Sequence, residues 1–375
     1  MKKTLLALAV AGAFSGAAFA QSSVTLFGIV DTGYSYYKGD GNGHQLVLTN
    51  SNLNSSRLGV RGTEDLGAGL KANFWLEGSV ATDNGSGSGT STNNQPSGTT
   101  SGTAGSQGFT FNRRMFVGLS GGFGEIRLGR NYTPLFMQIT SNDPFGTNGS
   151  GDTKIYALTG LTGAAAISTT VRASNAFEYL TPPGIGGVYA HAMYALGEVA
   201  SNAGSATVGT NDGRVYSARA GWAGGPADVS VAFTRSDMLQ LATQGNYTGV
   251  GIGGTLTFGA FKPMFQYLQH KINIATTGQE PERRDILLGL VASFGATDIR
   301  ASINDYHIKN PAGAVDSARQ YAVGPVYNLS RRTAVYGTFS MMDNKGVGTA
   351  FSNGRATITP GGKTTALDLG LRHSF

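Results

Sequence analysis

An all-β chain closed into one transmembrane, 16-stranded antiparallel β-barrel is what this sequence predicts, on three observations. Glycine is abundant (57 of 375 residues) and charge is scarce (13%), against about a quarter charged in a soluble globular chain. Past residue 22, segments of about ten residues alternate apolar and polar side chains. The separators between segments are by turns short and long. Long helices are disfavoured, because glycine costs about 1 kcal/mol against alanine inside a helix. With no cysteine, a disulfide scaffold, a thiolate metal site and a cysteine nucleophile are all excluded.

Residues 1–20 read as a secretory signal. Lys2 and Lys3 supply the positive start, Thr4 to Phe14 the apolar middle, and Ala18-Phe19-Ala20 the small-residue cleavage site. Cleavage after Ala20 leaves residues 21–375 as one domain and lowers the formal charge from +6 to +4. No later stretch has the 18 or more consecutive apolar residues of a membrane-spanning helix.

Period-two alternation is clearest in three strands. In 227–234, Val229, Val231 and Phe233 oppose Asp228, Ser230 and Thr234; in 298–306, Ile299, Ala301 and Ile303 oppose Arg300, Ser302 and Asn304. At the C-terminus Leu367, Leu369, Leu371 and Phe375 oppose Asp368, Gly370, Arg372 and Ser374. Short separators fall at 65–69, 121–124, 182–187, 224–226, 259–260, 295–297 and 329–332. Long polar ones fall near 38–54, 84–108, 132–168, 198–212, 237–246, 273–283, 308–317 and 343–362. Seven short and eight long, strictly interleaved, delimit 16 strands, with short turns at one end and extracellular loops at the other. Side chains could not fill a barrel that wide, so the apolar face points into lipid and the polar face lines water.

Alternation also assigns charged residues to the lumen. With Leu58 and Val60 towards lipid, Arg57 and Arg61 face inwards; with Leu70, Ala72, Phe74 and Leu76 towards lipid, Lys71 and Glu77 face inwards. Arg172 is opposite in phase to Phe177 and Tyr179 and also points inwards. Arginine on the lipid face near midplane would cost about 2–4 kcal/mol. Arg113 and Arg114 are adjacent, so simple alternation admits only one of them, and a bulge or a rim position would be needed for the other.

Several segments carry a resemblance. Ser22 to Gly28, Ser56 to Gly67, Gly69 to Ala72, Asn112 to Ser120, Gly124 to Arg130 and the terminal Leu369-Gly370-Leu371-Arg372-His373-Ser374-Phe375 resemble the betaproteobacterial general porins of Gram-negative bacteria. That resemblance implies a homotrimer in the outer membrane, surrounded by its lipid and lipopolysaccharide. It also implies passive diffusion of ions and small hydrophilic solutes through a water-filled channel. Phe375 occupies the position of the terminal residue that the barrel-assembly machinery reads. The third long loop, about 132–168, corresponds to the loop that folds into the barrel as a constriction, which makes Asp143 and Asp152 candidates for its acidic side. Arg113 matches an arginine of the family.

No enzyme is expected. The five histidines are scattered singly without an H-E-x-x-H pair, and no G-x-S-x-G elbow occurs. Gly249-x-Gly251-x-x-Gly254 matches a dinucleotide fingerprint only formally, because no helix follows it. The oxygen-rich run 141–152 lacks calcium-loop spacing and a terminal bidentate glutamate. No cofactor, metal or nucleic-acid partner is expected. Arginines opposite a weakly acidic loop predict weak anion selectivity. The alternative is a barrel-anchored surface adhesion or binding protein that acts through its long glycine- and serine-rich loops.

Overall fold

The structure, a computed structural model, describes residues 22–40, 43–90, 94, 108–161, 167, 169–200, 210–238, 245–275, 277–309, 315–346, 351–354 and 358–375. The signal segment expected at 1–20 lies outside the described residues. The strands are β1 (Ser23–Gly39), β2 (His44–Asn50), β3 (Arg57–Gly67), β4 (Leu70–Ser79), β5 (Arg114–Gly121), β6 (Gly124–Tyr132), β7 (Arg172–Leu180) and β8 (Val188–Ala195). They continue as β9 (Val215–Gly224), β10 (Ala227–Asp237), β11 (Asn246–Leu256), β12 (Phe261–Asn273), β13 (Glu282–Phe294), β14 (Thr297–Lys309), β15 (Val315–Asn328), β16 (Thr333–Lys345) and β17 (Lys363–Ser374).

These 17 segments make a closed 16-stranded antiparallel barrel. One edge of β1 pairs with β17 from Ile29 to Gly39. Its other edge pairs with β3 through Ser23 to Ile29 and with β2 through Thr32 to Lys38, so β2 and β3 share one wall position. Phe375 finishes the seam by exchanging two backbone hydrogen bonds with Gly28, both 3.1 Å. Closure leaves no open sheet edge, which a chain in lipid requires.

All seven short separators connect neighbouring strands. The first long separator differs from expectation. Instead of a loop over 38–54, β1 runs on to Gly39 and β2 returns from His44. The irregular stretch is 51–56, and it is held by Asp31: the carboxylate accepts from Leu53 N (2.7 Å) and Asn54 N (2.6 Å), while Ser56 Oγ donates to the Asp31 carbonyl. A buried carboxylate here offers loop amides the partners that a regular ladder would have supplied.

The faces follow the alternation. On β1, Val24 and Leu26 are 70% and 61% exposed on the outer wall, whereas Asp31 and Ser35 are fully buried inside. Val229, Val231, Ile303, Leu367, Leu369 and Leu371 are likewise exposed outwards. Exposed leucine and valine on this scale make sense only where the solvent is hydrocarbon.

The long segment expected at 132–168 runs from Thr133 to Val171, between β6 and β7, and folds inwards. It opens with helix α1 (Pro134–Ser141), which has proline in its first turn and is capped by Thr133, whose hydroxyl accepts from Phe136 N at 3.2 Å. This helix packs against the lumen face of β8 to β11. Leu135 and Ile139 enter an apolar cluster with lumen-facing Leu268, Ile272 and Leu287. One side of the barrel interior is therefore packed rather than wet.

Glycines on β11 make that approach possible. A Cβ on Gly249 would lie 2.7 Å from Leu135, one on Gly251 2.6 Å from Gln138, and one on Gly253 2.8 Å from Asn142. Two of the three glycines of the formal dinucleotide fingerprint thus serve as a seat for α1. Beyond the helix, the loop crosses the lumen. Asn148 accepts from Ser55 Oγ (2.7 Å), and Ser150 N donates to Asp368 (2.8 Å) on β17.

Candidate functional site

Where the inward loop passes the wall of β3, β5 and β7, it leaves a cavity of about 490 Å³. Its wall side is made by Arg57, Arg113, Arg114, Tyr132 and Arg172, and Arg219 of β9 reaches it from the far side. Its loop side is made by uncharged groups, among them Thr140, Ser141, Thr147 and Asn148.

The arginines gather around two aromatic rings. Arg172, Arg114 and Arg113 carry their guanidinium carbons 4.5, 4.7 and 5.8 Å from the centre of the Tyr132 ring. The Tyr132 hydroxyl accepts from Arg172 at 3.0 Å and also from Arg113. Trp75 lies between Arg114 and Arg61, each 5.1 Å from its ring. Stacking on ring faces lets cations crowd together with few carboxylates present. Phe136 of α1 stacks on Tyr132 (5.3 Å), so the loop helix and the arginine cluster share a contact.

Glu77 is the single carboxylate in this group. It accepts from Arg113 Nε (2.5 Å), Arg57 (3.3 Å) and Trp75 Nε1 (2.9 Å), and it is 1% exposed. Five arginines line the cavity and one carboxylate stands beside them. Among the described residues, the Nε–H groups of Arg114 and Arg172 find no acceptor.

Both members of the Arg113–Arg114 pair point inwards. Pairing of β5 with β4 ends at Glu77 and Arg114, so Arg113 precedes the strand and escapes its alternation. Arg61 also faces the lumen but lies outside this cavity, in a hollow of about 350 Å³ with Trp75, Glu125 and Arg127. Lys71 is exposed near the short-turn end, paired with Ser120, and does not reach the cavity.

Asp143 and Asp152 are not on the acidic side expected of them: neither lines the cavity. Asp143 is 4% exposed and accepts backbone N–H groups from Phe145 (3.0 Å), Thr147 (2.8 Å) and Thr153 (3.1 Å). Asp152 is buried and bonded to Lys154 and to the Tyr156 hydroxyl (2.8 Å). Both carboxylates satisfy donors within the loop, so neither faces a passing ion or a metal. Burial pushes the Asp143 carboxyl up to about 6, only partly offset by its three backbone donors.

Sequence reasoning missed Tyr132, Trp75, Arg219 and Arg283. Arg219 and Trp75 were within reach, since Arg219 alternates with outward Tyr216 and Trp222, and Trp75 shares phase with Glu77. Tyr132 ends its strand at a register shift, where alternation gives no signal. Arg283 is fully buried and holds the second leg of the loop, donating to the carbonyls of Lys154 (2.9 Å) and Thr159 (3.3 Å) and to Asp285 (2.8 Å).

A closed 16-stranded wall, apolar outside, with an inward third loop facing clustered arginines, has close relatives. The pattern of the Gram-negative porin family matches residues 7–347. The chain belongs to that family. It is 36% identical to outer membrane porin protein 32 of Delftia acidovorans, over the full length of both chains. It is 28% identical to an outer membrane porin of Bordetella pertussis, again over both full lengths. The solved anion-selective porin from Comamonas acidovorans superposes with a TM-score of 0.77 at 31% identity, covering 95% of this chain and all of that one. A loop-deletion mutant of an outer membrane protein of Vibrio cholerae, at 14% identity and a TM-score of 0.64 over 94% of this chain and 99% of that one, shares the fold. This porin forms a channel in the outer membrane.

Proposed function

We propose that the channel is weakly anion-selective and that the loop from Thr133 to Val171 is its constriction. The observation that carries this reading is the charge of the cavity: five arginines against a single carboxylate, itself engaged by Arg57 and Arg113. A ring of fixed charge biases ion traffic through its local potential, and low-dielectric walls focus that field. Asp143 and Asp152 are taken up within the loop, so among the described residues the loop side of the eyelet brings no carboxylate to the arginines. The related Comamonas protein is described as anion-selective.

The test is the reversal potential of the purified channel in a planar bilayer under a KCl gradient. Preference for chloride is expected, and preference for potassium would overturn the reading.

The working form is a homotrimer assembled through the barrel-assembly machinery. Two features support this. The outer wall carries an apolar hollow of about 800 Å³, lined by Phe74, Leu76, Met115 and Val117 under loop residues Thr110 and Phe111, which a second copy would fill. Phe375 is 45% exposed, with its ring over Gly28 at the closing seam, where a recognition partner has access. Export would use the signal at 1–20, cleaved after Ala20. In mild detergent the assembly should migrate as a trimer and fall to monomers on heating.

A further inference from the structure

Arginines and rings of the lumen wall form one continuous column. From β1 to β7 it runs Phe27, Arg61, Trp75, Arg114, Tyr132 and Arg172, with each guanidinium carbon 4.5–5.3 Å from the neighbouring ring centre. One end, at Arg114, Tyr132 and Arg172, belongs to the eyelet cavity. The other end does not. Arg61 lies four residues nearer the short turn than Arg57 on β3, about 13 Å along the strand. The hollow of about 350 Å³ opens there, on the short-turn side of the eyelet.

That hollow carries one unspent positive charge. Arg61 is exposed to the lumen and makes no ion pair among the described residues. Arg127 is engaged: it donates to both oxygens of Glu125, at 2.8 and 2.7 Å, and lies over the Phe116 ring. Glu125 is the sole carboxylate among the described residues lining the hollow, and the remaining polar side chains there are uncharged. The surface around Arg61 is aromatic. Phe27 packs on Trp75 at 5.0 Å, and Phe116 is the cross-strand partner of Trp75 on β5. Lumen positions tolerate polar side chains, so three rings beside a free cation are not a requirement of the wall.

We propose that this hollow binds aromatic carboxylates. The carboxylate pairs with Arg61, and its ring lies among the aromatic side chains that hold that guanidinium, extending the alternation of cation and ring. A hollow of this volume has room for about a dozen waters at about 30 Å³ each, and so for one benzene ring with its carboxylate. Chloride or acetate would satisfy the charge and leave the rings wet. A neutral aromatic would leave Arg61 unpaired. Trp75 is shared by Arg61 and Arg114, so a solute leaving the eyelet meets the hollow next. The inference rests on the chain being a channel and is independent of the anion preference set at Tyr132.

The test uses the full-length porin in mild detergent, carrying Trp222→Phe so that Trp75 is the only tryptophan. Trp222 is exposed on the outer wall, away from the lumen. The probe is 4-nitrobenzoate, an aromatic carboxylate that quenches indole fluorescence. Saturable quenching of Trp75 is expected, whereas 4-nitrobenzyl alcohol, which has no charge, should not saturate. Benzoate should displace the probe at a concentration at least about threefold lower than cyclohexanecarboxylate, which has the same charge and a non-planar ring. Arg61→Gln should weaken probe binding at least about fivefold, and Arg61→Lys, which keeps the charge without the planar fork, about twofold. Because Arg61 is exposed and unpaired, both variants should assemble. Arg172→Ala should change binding by less than about twofold, since salt screens a charge at that distance. Absence of saturable quenching, equal displacement by benzoate and cyclohexanecarboxylate, or loss of binding with Arg172→Ala instead of Arg61→Gln would overturn the proposal. Potassium preference in a KCl gradient would count against the eyelet reading alone.

Discussion

Replacing Arg172 by alanine tests the charge of the eyelet most directly. Arg172 and Arg114 are the cavity arginines nearest the Tyr132 ring, at 4.5 and 4.7 Å, and neither is bonded to Glu77. Arg113 and Arg57 do bind that carboxylate, whereas Arg172 makes no ion pair among the described residues. An anion about 6 Å from its guanidinium gains about 0.7 kcal/mol at the dielectric of water and about 1.4 kcal/mol at half that dielectric. Arg172→Ala should therefore lower the chloride-to-potassium permeability ratio by about threefold or more in 0.1 M salt. In 1 M salt the Debye length is about 3 Å, shorter than the working distance, and the difference from the parent should nearly vanish. Arg61→Ala is the comparison, because Arg61 stacks on Phe27 and Trp75 outside the cavity. Its effect on reversal potential should be less than half as large. Equal shifts in the two variants, or no shift with Arg172→Ala, would refute the assignment of selectivity to the Tyr132 cluster.

Gly251→Val should push α1 off its seat, since even a Cβ there would lie 2.6 Å from Gln138 and 3.1 Å from Leu268. Overpacking of this kind costs about 1–3 kcal/mol, and altered single-channel conductance with the barrel still heat-resistant is the expected result. Deletion of Phe375 should lower the amount of assembled channel in the membrane while leaving the conductance of each assembled channel unchanged; normal assembly would make the residue a simple seam contact. Asp143 gives a pH dependence with a definite sign. Its carboxyl is raised from 3.8 to about 6, so between those values the folded loop retains a proton that the unfolded chain has released. Loop stability should fall as pH rises through that window and stay level above it. Hydrogen exchange at the amides of Phe145 and Thr147, corrected for intrinsic rate, measures this; Asp143→Asn should flatten the profile, and an opposite slope in the parent would contradict it.

The wall was legible in the sequence because lipid imposes a local rule. Within the apolar band outward side chains must be apolar and inward ones can be polar, so a period of two survives in β10, β14 and β17 and fixes strand number, faces and the inward direction of Arg57, Glu77 and Arg172. The rule fails wherever the lumen is not water. On β12, Leu268 and Ile272 face inwards yet are apolar, because the loop from Thr133 packs on them, and the alternation is lost there. The same contact explains the glycines of β11, whose lumen face is a seat for α1. Arg113 turns inwards only because strand pairing stops one residue later, at Arg114. The expected acidic pair was misread for a related reason: a loop sequence does not reveal whether its carboxylates meet an ion or its own backbone amides, and Asp143 meets three of them. Sequence alone thus determined the barrel and the phase of its wall charges. Which of those charges converge on Tyr132, and which carboxylates are withdrawn from the channel, was decided by long-range packing of the inward loop against a wall distant from it in sequence.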